Sequence, residues 1–420
     1  ALLEGQAWGI YRFALRGITA ASGTARMLEL ATDQTIPNQV RFIAANYLYR
    51  ARNIDLSGAD SQLVQALARE DDPRIRMALA IALGKTKTST AQDALISQYN
   101  IEPDYRVKCN IIRAMGNFDY EQVKPTILRA LEDENLHLSK CAATYFLDNG
   151  QPQEAKFYWE KAKDTLNWET QLELYAAANR HMPGYFTLSV GQINNELKLR
   201  FENGSNIYEQ AAAVKALGEY GWNYRYIITK TFPSTEQVIR TACIEALQQI
   251  VYMEDFRKFF GASYRRVRQE ISNHMIEVMK TADVGMIAVA SDILRHPTLY
   301  FEGTLDSLTV LEEALQKLPL PRAIETYNEL QRTLDFFEEK DFRPRKPNFN
   351  HPINWELAAQ IKPGTKALVK TDKGEITLLL LPELAPGSVA NFVQLIQDKF
   401  YDNKVFHRVV PNFVIQGGCP

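Results

Sequence analysis

Near its N-terminal third the chain repeats itself. The stretches "DPRIRMALAIALG" (72–84), "PDYRVKCNIIRAMG" (103–116) and "NLHLSKCAATYFLDNG" (135–150) share a polar or acidic start, small residues at helical spacing and a glycine stop. The glycines that close the first two, Gly84 and Gly116, lie 32 residues apart. Looser copies occupy 36–51, 205–221 and 234–250. A unit of this length cannot bury its apolar face alone and must lay it on a neighbour, so the period predicts an all-α solenoid over residues 1–340. In 151–200 and 251–340 the period fades, and a plain irregular helical bundle is the alternative there.

The aspartate-proline start, the valine or isoleucine followed by arginine, and the alanine-rich second helix resemble HEAT repeats. The tetratricopeptide pattern of similar period is not reproduced in phase. What the resemblance implies is an arm of paired helices whose surface holds protein partners. Aromatic clusters such as "KFYWEKAKDTLNW" and "EYGWNYRYIITKTF" could line a peptide groove there, although at helical spacing they are more often core.

Other chemistry is sparse. Cys109, Cys141, Cys243 and Cys419 form no CxxC pair. Cys109 and Cys141 sit one repeat apart, on helices expected roughly 8–10 Å from each other, beyond the roughly 7 Å Cα limit of a disulfide, so both are expected as free thiols. The histidines are isolated and show no metal-ligand spacing, and no motif calls for a cofactor. With 48 Lys plus Arg against 50 Asp plus Glu and a formal charge of −2, no basic footprint argues for nucleic acid. No run of about 18 apolar residues predicts a membrane span. The opening "ALLEGQAWGIYRFALRG" has helical spacing without an initiator methionine or a cap, and reads as a cut beginning.

The helical grammar ends at a proline-rich stretch. Pro344, Pro347, Pro352 and Pro363 predict a stiff linker over 341–364. A different domain follows over 365–420. "KALVKTDKGEITLLLLPELAP" predicts a hairpin turning near Gly374. "GSVANFVQLIQDKF" predicts one amphipathic helix, capped by Ser388 and striped by Val389, Phe392, Val393 and Ile396. "VFHRVVPNFVIQGG" (405–418) then reads as a strand with an arginine inside an apolar run. By alternation Phe406 and Arg408 share one face, and Val405, His407 and Val409 take the other.

The order of hairpin, "APGSVANFVQLI" and "FYDNKVFHRVVPNFVIQGG" resembles the first third of a cyclophilin-type peptidyl-prolyl isomerase. The resemblance implies a closed eight-stranded barrel with a shallow apolar groove that accepts proline. By matching positions, Arg408 falls on the catalytic arginine, Phe413 on the floor of the proline pocket and Gln416 on the glutamine that steers the substrate backbone. Val414 stands where the family usually has methionine, and His407 lies beside the groove. The matched part covers about 55 of the 420 residues and supplies only an incomplete barrel, so the chain is expected to be a fragment with little activity by itself. The pairing of arm and isomerase implies proline-containing polypeptide clients and favours a bacterial periplasm or cell envelope. A non-catalytic scaffold or a holdase chaperone is the competing reading.

Overall fold

Each repeated polar start becomes a helix cap. Asp72 accepts from the Arg74 backbone N–H at 2.9 Å, Asp104 from Arg106 at 2.9 Å, and Asn135 from His137 at 3.0 Å. These satisfy donors that the first helical turn leaves orphaned. The Arg74 guanidinium also bonds Asp72 and holds its carboxyl down at about 2.

The structure, a computed structural model, describes residues 2–346, 352–410 and 414–418, and at residues 407, 408 and 410 the backbone alone. It divides into two compact units, Ala1–Pro319 with Ala323–Arg345, and a second made mainly of Lys346–Pro420. Among the described residues up to 340 the regular structure is helical throughout.

One row of helices comprises α1 (Leu2–Ala14), α3 (Asn38–Arg50), α5 (Pro73–Gly84), α7 (Tyr105–Met115), α9 (Leu136–Asn149), α11 (Trp168–His181), α13 (Ile207–Leu217), α15 (Gln237–Val251), α18 (Val284–Leu294) and α20 (Ile324–Phe337). Each packs on the next in that order. The second row comprises α2 (Ala21–Thr32), α4 (Asp60–Arg69), α6 (Ser89–Ile101), α8 (Tyr120–Leu131), α10 (Ala155–Lys161), α12 (Thr187–Asn203), α14 (Tyr224–Thr231), α16 (Phe256–Phe260), α17 (Tyr264–Met279) and α19 (Thr309–Lys317). Its members lean on the first row, α2 on α3, α8 on α9, α12 on α13 and α17 on α18 among them. The ladder therefore continues through 151–200 and 251–340, where the sequence period fades.

Small residues set how closely the rows approach. A Cβ at Gly84 would meet the Ala114 Cβ at 2.8 Å, so α5 and α7 touch backbone to side chain where the repeat ends in glycine. Buried charge is handed along the ladder in the same rhythm. Arg41 pairs with Glu70, which is 4% exposed, and Arg76 pairs with Glu102, 3% exposed, at 2.8 Å. Glu70 and Glu102 each also accept the backbone N–H two residues on, at 2.9 and 3.1 Å. Lys85 donates to the Leu48, Tyr49 and Ala51 carbonyls at 2.6–2.8 Å, closing the C-terminus of α3.

Cys109, Cys141 and Cys243 are free and buried, and Cys419 lies outside the described residues. Cys141 Sγ donates to the Cys109 carbonyl at 3.5 Å across the α7–α9 contact. Hydrogen bonding with Cys109 and burial push the Cys141 thiol well up. The aromatic clusters are only partly core: Tyr158 and Tyr224 are buried, most of the other rings are half-buried, and Trp222, 41% exposed, lies edge-on to Phe260 at 5.0 Å.

The second unit holds α21 (Trp355–Gln360), the antiparallel pair β1 (Lys366–Thr371) and β2 (Gly374–Leu379), α22 (Pro386–Gln397), and the antiparallel pair β3 (Phe406–Val410) and β4 (Val414–Gly417). The two pairs are separate sheets, and no closed barrel forms among the described residues. Within the span expected as a linker, residues up to Arg345 run along α20, held by Asn328 through bonds of 2.8 and 3.1 Å, and α21 adds a short helix. Ser388 is not the cap of α22: the helix starts at Pro386, whose fixed φ suits a first helical position.

Two stability predictions follow from this packing. Gly84→Ala should destabilise by about 1–3 kcal/mol through overpacking, whereas Gly5→Ala, with open space around it, should stabilise by up to about 1 kcal/mol through helix propensity. Urea unfolding of both variants measures the contrast; a stabilised Gly84→Ala protein would contradict the close approach. The second concerns His274 in α17, which is 6% exposed, lies edge-on to Phe232 at 4.4 Å and leaves Nε2 unpartnered. Burial lowers its pKa from 6.5 to about 4, against a small opposing effect of Glu277. The unfolded chain therefore takes the proton first, so the contribution is full above about pH 6.5 and is lost as pH falls toward 4, to a total of at most about 3 kcal/mol. His274→Leu should flatten that part of the stability profile, read by urea unfolding at pH 7 and pH 4.5.

Candidate functional site

The site predicted from sequence sits on the β3–β4 hairpin. Lys399 and Asn403 adopt left-handed backbone, φ 56° and 59°, and turn the chain out of α22 toward β3. Tyr401 packs on Phe392 at 5.3 Å between ring centres. After β4 the chain passes close over Tyr401, with Gly418 at φ 81°, a conformation that side-chain-bearing residues rarely adopt. The glycine pair after Gln416 is thus explained locally by backbone geometry.

The register brings two of the predicted residues together. Arg408 is the cross-strand partner of Gln416, Val409 of Ile415 and Val410 of Val414. Phe406 pairs with Gly417, so the ladder advances two residues on β3 for one on β4, a β-bulge with His407 as the additional residue. This overturns the simple alternation. Gly417 and Gln416 occupy opposite faces of β4, so their partners Phe406 and Arg408 do too. One face carries positions 408, 410, 414 and 416; the other carries Phe406, Val409 and Ile415, which are 41%, 57% and 50% exposed.

Phe413 lies outside the described residues, and so do the side-chain contacts of His407 and Arg408. The bulge is the element that sequence reasoning missed. An apolar alternation carries no mark of one inserted residue, because the bulge is defined by the partner strand. Among the described residues no group of three or more His, Cys, Asp or Glu is placed to hold a metal ion. None of the described helices is long and apolar enough to cross a membrane.

Hairpin, helix and bulged hairpin define a class. Residues 366–420 match the model of the family described as cyclophilin type peptidyl-prolyl cis-trans isomerase. A peptidyl-prolyl cis-trans isomerase of Synechococcus elongatus is 55% identical over 56 residues, 13% of this chain and 39% of that protein. Peptidyl-prolyl cis-trans isomerase B of Bacillus subtilis is 57% identical over 49 residues, 12% of this chain and 34% of that one. The spliceosome-associated protein CWC27 homolog of Xenopus laevis is 54% identical over 55 residues, 13% of this chain and 12% of that one. The chain thus spans well under half the length of these relatives.

Proposed function

We propose that this chain is part of a peptidyl-prolyl cis-trans isomerase, with an arm over residues 1–340, a linker over 341–364 and an isomerase segment over 365–420. The observation that supports it most is the cross-strand pairing of Arg408 with Gln416 in a segment matching that family. Rotation about a peptide bond faces about 18–20 kcal/mol, because the nitrogen lone pair is shared with the carbonyl. As the amide twists, the lone pair localises on the prolyl nitrogen. A guanidinium placed there donates to it and binds the twisted state more tightly than either planar state. In this reading Arg408 is that donor, Gln416 holds the neighbouring carbonyl, and Phe413 and Val414 hold the proline ring, with His407 at the groove's side. No covalent step, metal or cofactor is needed.

The substrate class is then a proline-containing polypeptide, and the arm is the surface that holds such clients. An open groove of about 620 Å³ between α11, α12 and α13, lined by Trp168, Tyr175, Leu199 and Arg200, is a surface suited to that task. The competing reading is a non-catalytic scaffold.

A graft tests the residues of this chain inside a complete domain. Residues 366–420 replace the matching 56 residues of the Synechococcus isomerase. The graft should catalyse exchange of a proline peptide, measured by NMR or a protease-coupled assay. Arg408→Ala in the graft should lower kcat/KM by about two to three orders of magnitude with little change in KM, as for loss of one preorganised donor. Arg408→Lys should not restore the rate, since an ammonium on a flexible stem does not reproduce the planar fork. An inactive graft with a folded circular dichroism spectrum would favour the scaffold, and a fully active Arg408→Ala graft would remove Arg408 from the mechanism.

A further inference from the structure

Asparagine followed directly by glycine occurs twice in the chain, at Asn149–Gly150 and at Asn203–Gly204. Locally the two steps are copies of each other. In each the asparagine is the last residue of a helix, α9 or α12, and the glycine after it is extended, with φ −62° and ψ 163° at Gly150 and φ −58° and ψ 143° at Gly204. In each the asparagine Nδ2 donates to the carbonyl four residues back, that of Tyr145 or of Leu199, at 3.1 Å. Neither glycine N–H donates a hydrogen bond to a described residue.

Their surroundings differ. Asn149 is half-buried, and its side-chain amide lies against the preceding repeat, where a Cβ at Gly116 would stand 3.1 Å from Oδ1. Gly150 is walled in by the next helix of the row, since a Cβ there would meet His181 ring atoms at 2.7 and 2.8 Å, and the Gln151 N–H is tied to the buried Tyr158 hydroxyl at 3.0 Å. Asn203 is exposed, and its side chain bonds only to its own helix. Around Gly204 a Cβ would meet the Arg200 carbonyl of that same helix and the side chain of Gln210. The chain is caught again at Ser205, whose N–H and hydroxyl both donate to Glu209 at 2.8 Å. Residues 203 and 204 thus form a short, solvent-facing arc between a helix end and an anchored residue.

We infer that Asn203 is a site of spontaneous covalent modification, a deamidation through a succinimide, from which Asn149 is protected by the ladder. The Gly204 amide nitrogen gives its proton to hydroxide and attacks Cγ of Asn203. The N–Cγ bond forms and closes the ring, the Cγ–Nδ2 bond breaks, and Nδ2 leaves as ammonia with a proton taken from water. Water then adds to either ring carbonyl and opens that C–N bond, leaving an aspartate or, with the main chain rerouted through the side chain, an isoaspartate at position 203. Glycine favours the attack because no Cβ hinders the nitrogen. Ring closure requires the asparagine to leave the last helical turn; a frayed, exposed helix end does so at little cost, whereas at Asn149 the same motion must break the contacts with Gly116 and His181. The product places a negative charge beside Glu202 at the C-terminus of α12, the negative end of its dipole, and on the groove lined by Trp168, Tyr175, Leu199 and Arg200. The assignment holds whatever that groove binds.

Incubation of the chain at mildly alkaline pH followed by tryptic digestion reports on both steps, because cleavage after Lys140, Lys156, Arg200 and Lys215 releases peptides 141–156 and 201–215. Mass spectrometry should find the amide-to-acid mass gain, with a separately eluting isoaspartyl form, accumulating in 201–215 about tenfold or more faster than in 141–156, a factor that loss of a single packing contact is enough to produce. In concentrated urea the two peptides should convert at similar rates. Asn203→Gln, at an exposed position, should keep the fold and remove the gain from 201–215, since glutamine closes its larger ring far more slowly. A native 201–215 that stays intact while the unfolded chain converts, equal rates for the two peptides in the native chain, a difference that persists in urea, or a gain that survives in Asn203→Gln and so belongs to Asn206 would each overturn the inference.

Discussion

The arm depends on one constraint: a pair of amphipathic helices has an apolar stripe that only another pair can cover. Ala44, Ala78, Ile111, Ala142, Ala177, Ala213 and Ala246 are all buried, and they belong to successive members of the first row. Burying a leucine or isoleucine side chain contributes roughly 1.5–3 kcal/mol, against roughly 0–1 kcal/mol for an exposed ion pair, so stacking and not surface charge holds the ladder. The small residues matter because they let the stripes meet. Where α5 and α7 approach, even one methyl group lacks room.

Charge is subordinate to that stacking but registers it. Glu70 and Glu102 are buried deeply enough that a missing partner would be costly, and each takes its arginine from the helix one repeat earlier. Glu70 and Glu102, each bonded to the backbone N–H of the capping aspartate two residues on, thus link each repeat to the one before it.

In the second unit the bulge does what the repeat does in the arm. It shifts one strand so that positions 408 and 416 stand opposite each other. A regular strand would have put position 408 on the face of Phe406, whereas the extra residue at 407 moves it to the face of Gln416. The glycines after Gln416 follow from the close passage over Tyr401. Motif residues that look like a catalytic signature are thus partly an account of how the backbone turns.

Much of this was legible in the sequence. The period and the acidic starts determined a helical ladder, because helix caps and apolar spacing are local properties, and the hairpin-helix-strand order with Arg408, Phe413 and Gln416 identified the isomerase segment. Ser388 as a cap failed, since Pro386 could begin the helix earlier. The ladder's continuation through 251–340 was hidden, because buried faces tolerate many apolar residues once the neighbour's shape is given. Only the tertiary structure decided that Phe406 and Arg408 part company, that the thiol of Cys141 reaches the carbonyl of Cys109, and that Arg257 of α16 stands by the ring of Tyr264 in α17. The physical reason is common to all three. Each depends on what stands opposite across a strand or a helix interface, and a side chain's partner in space leaves no periodic trace along its own segment.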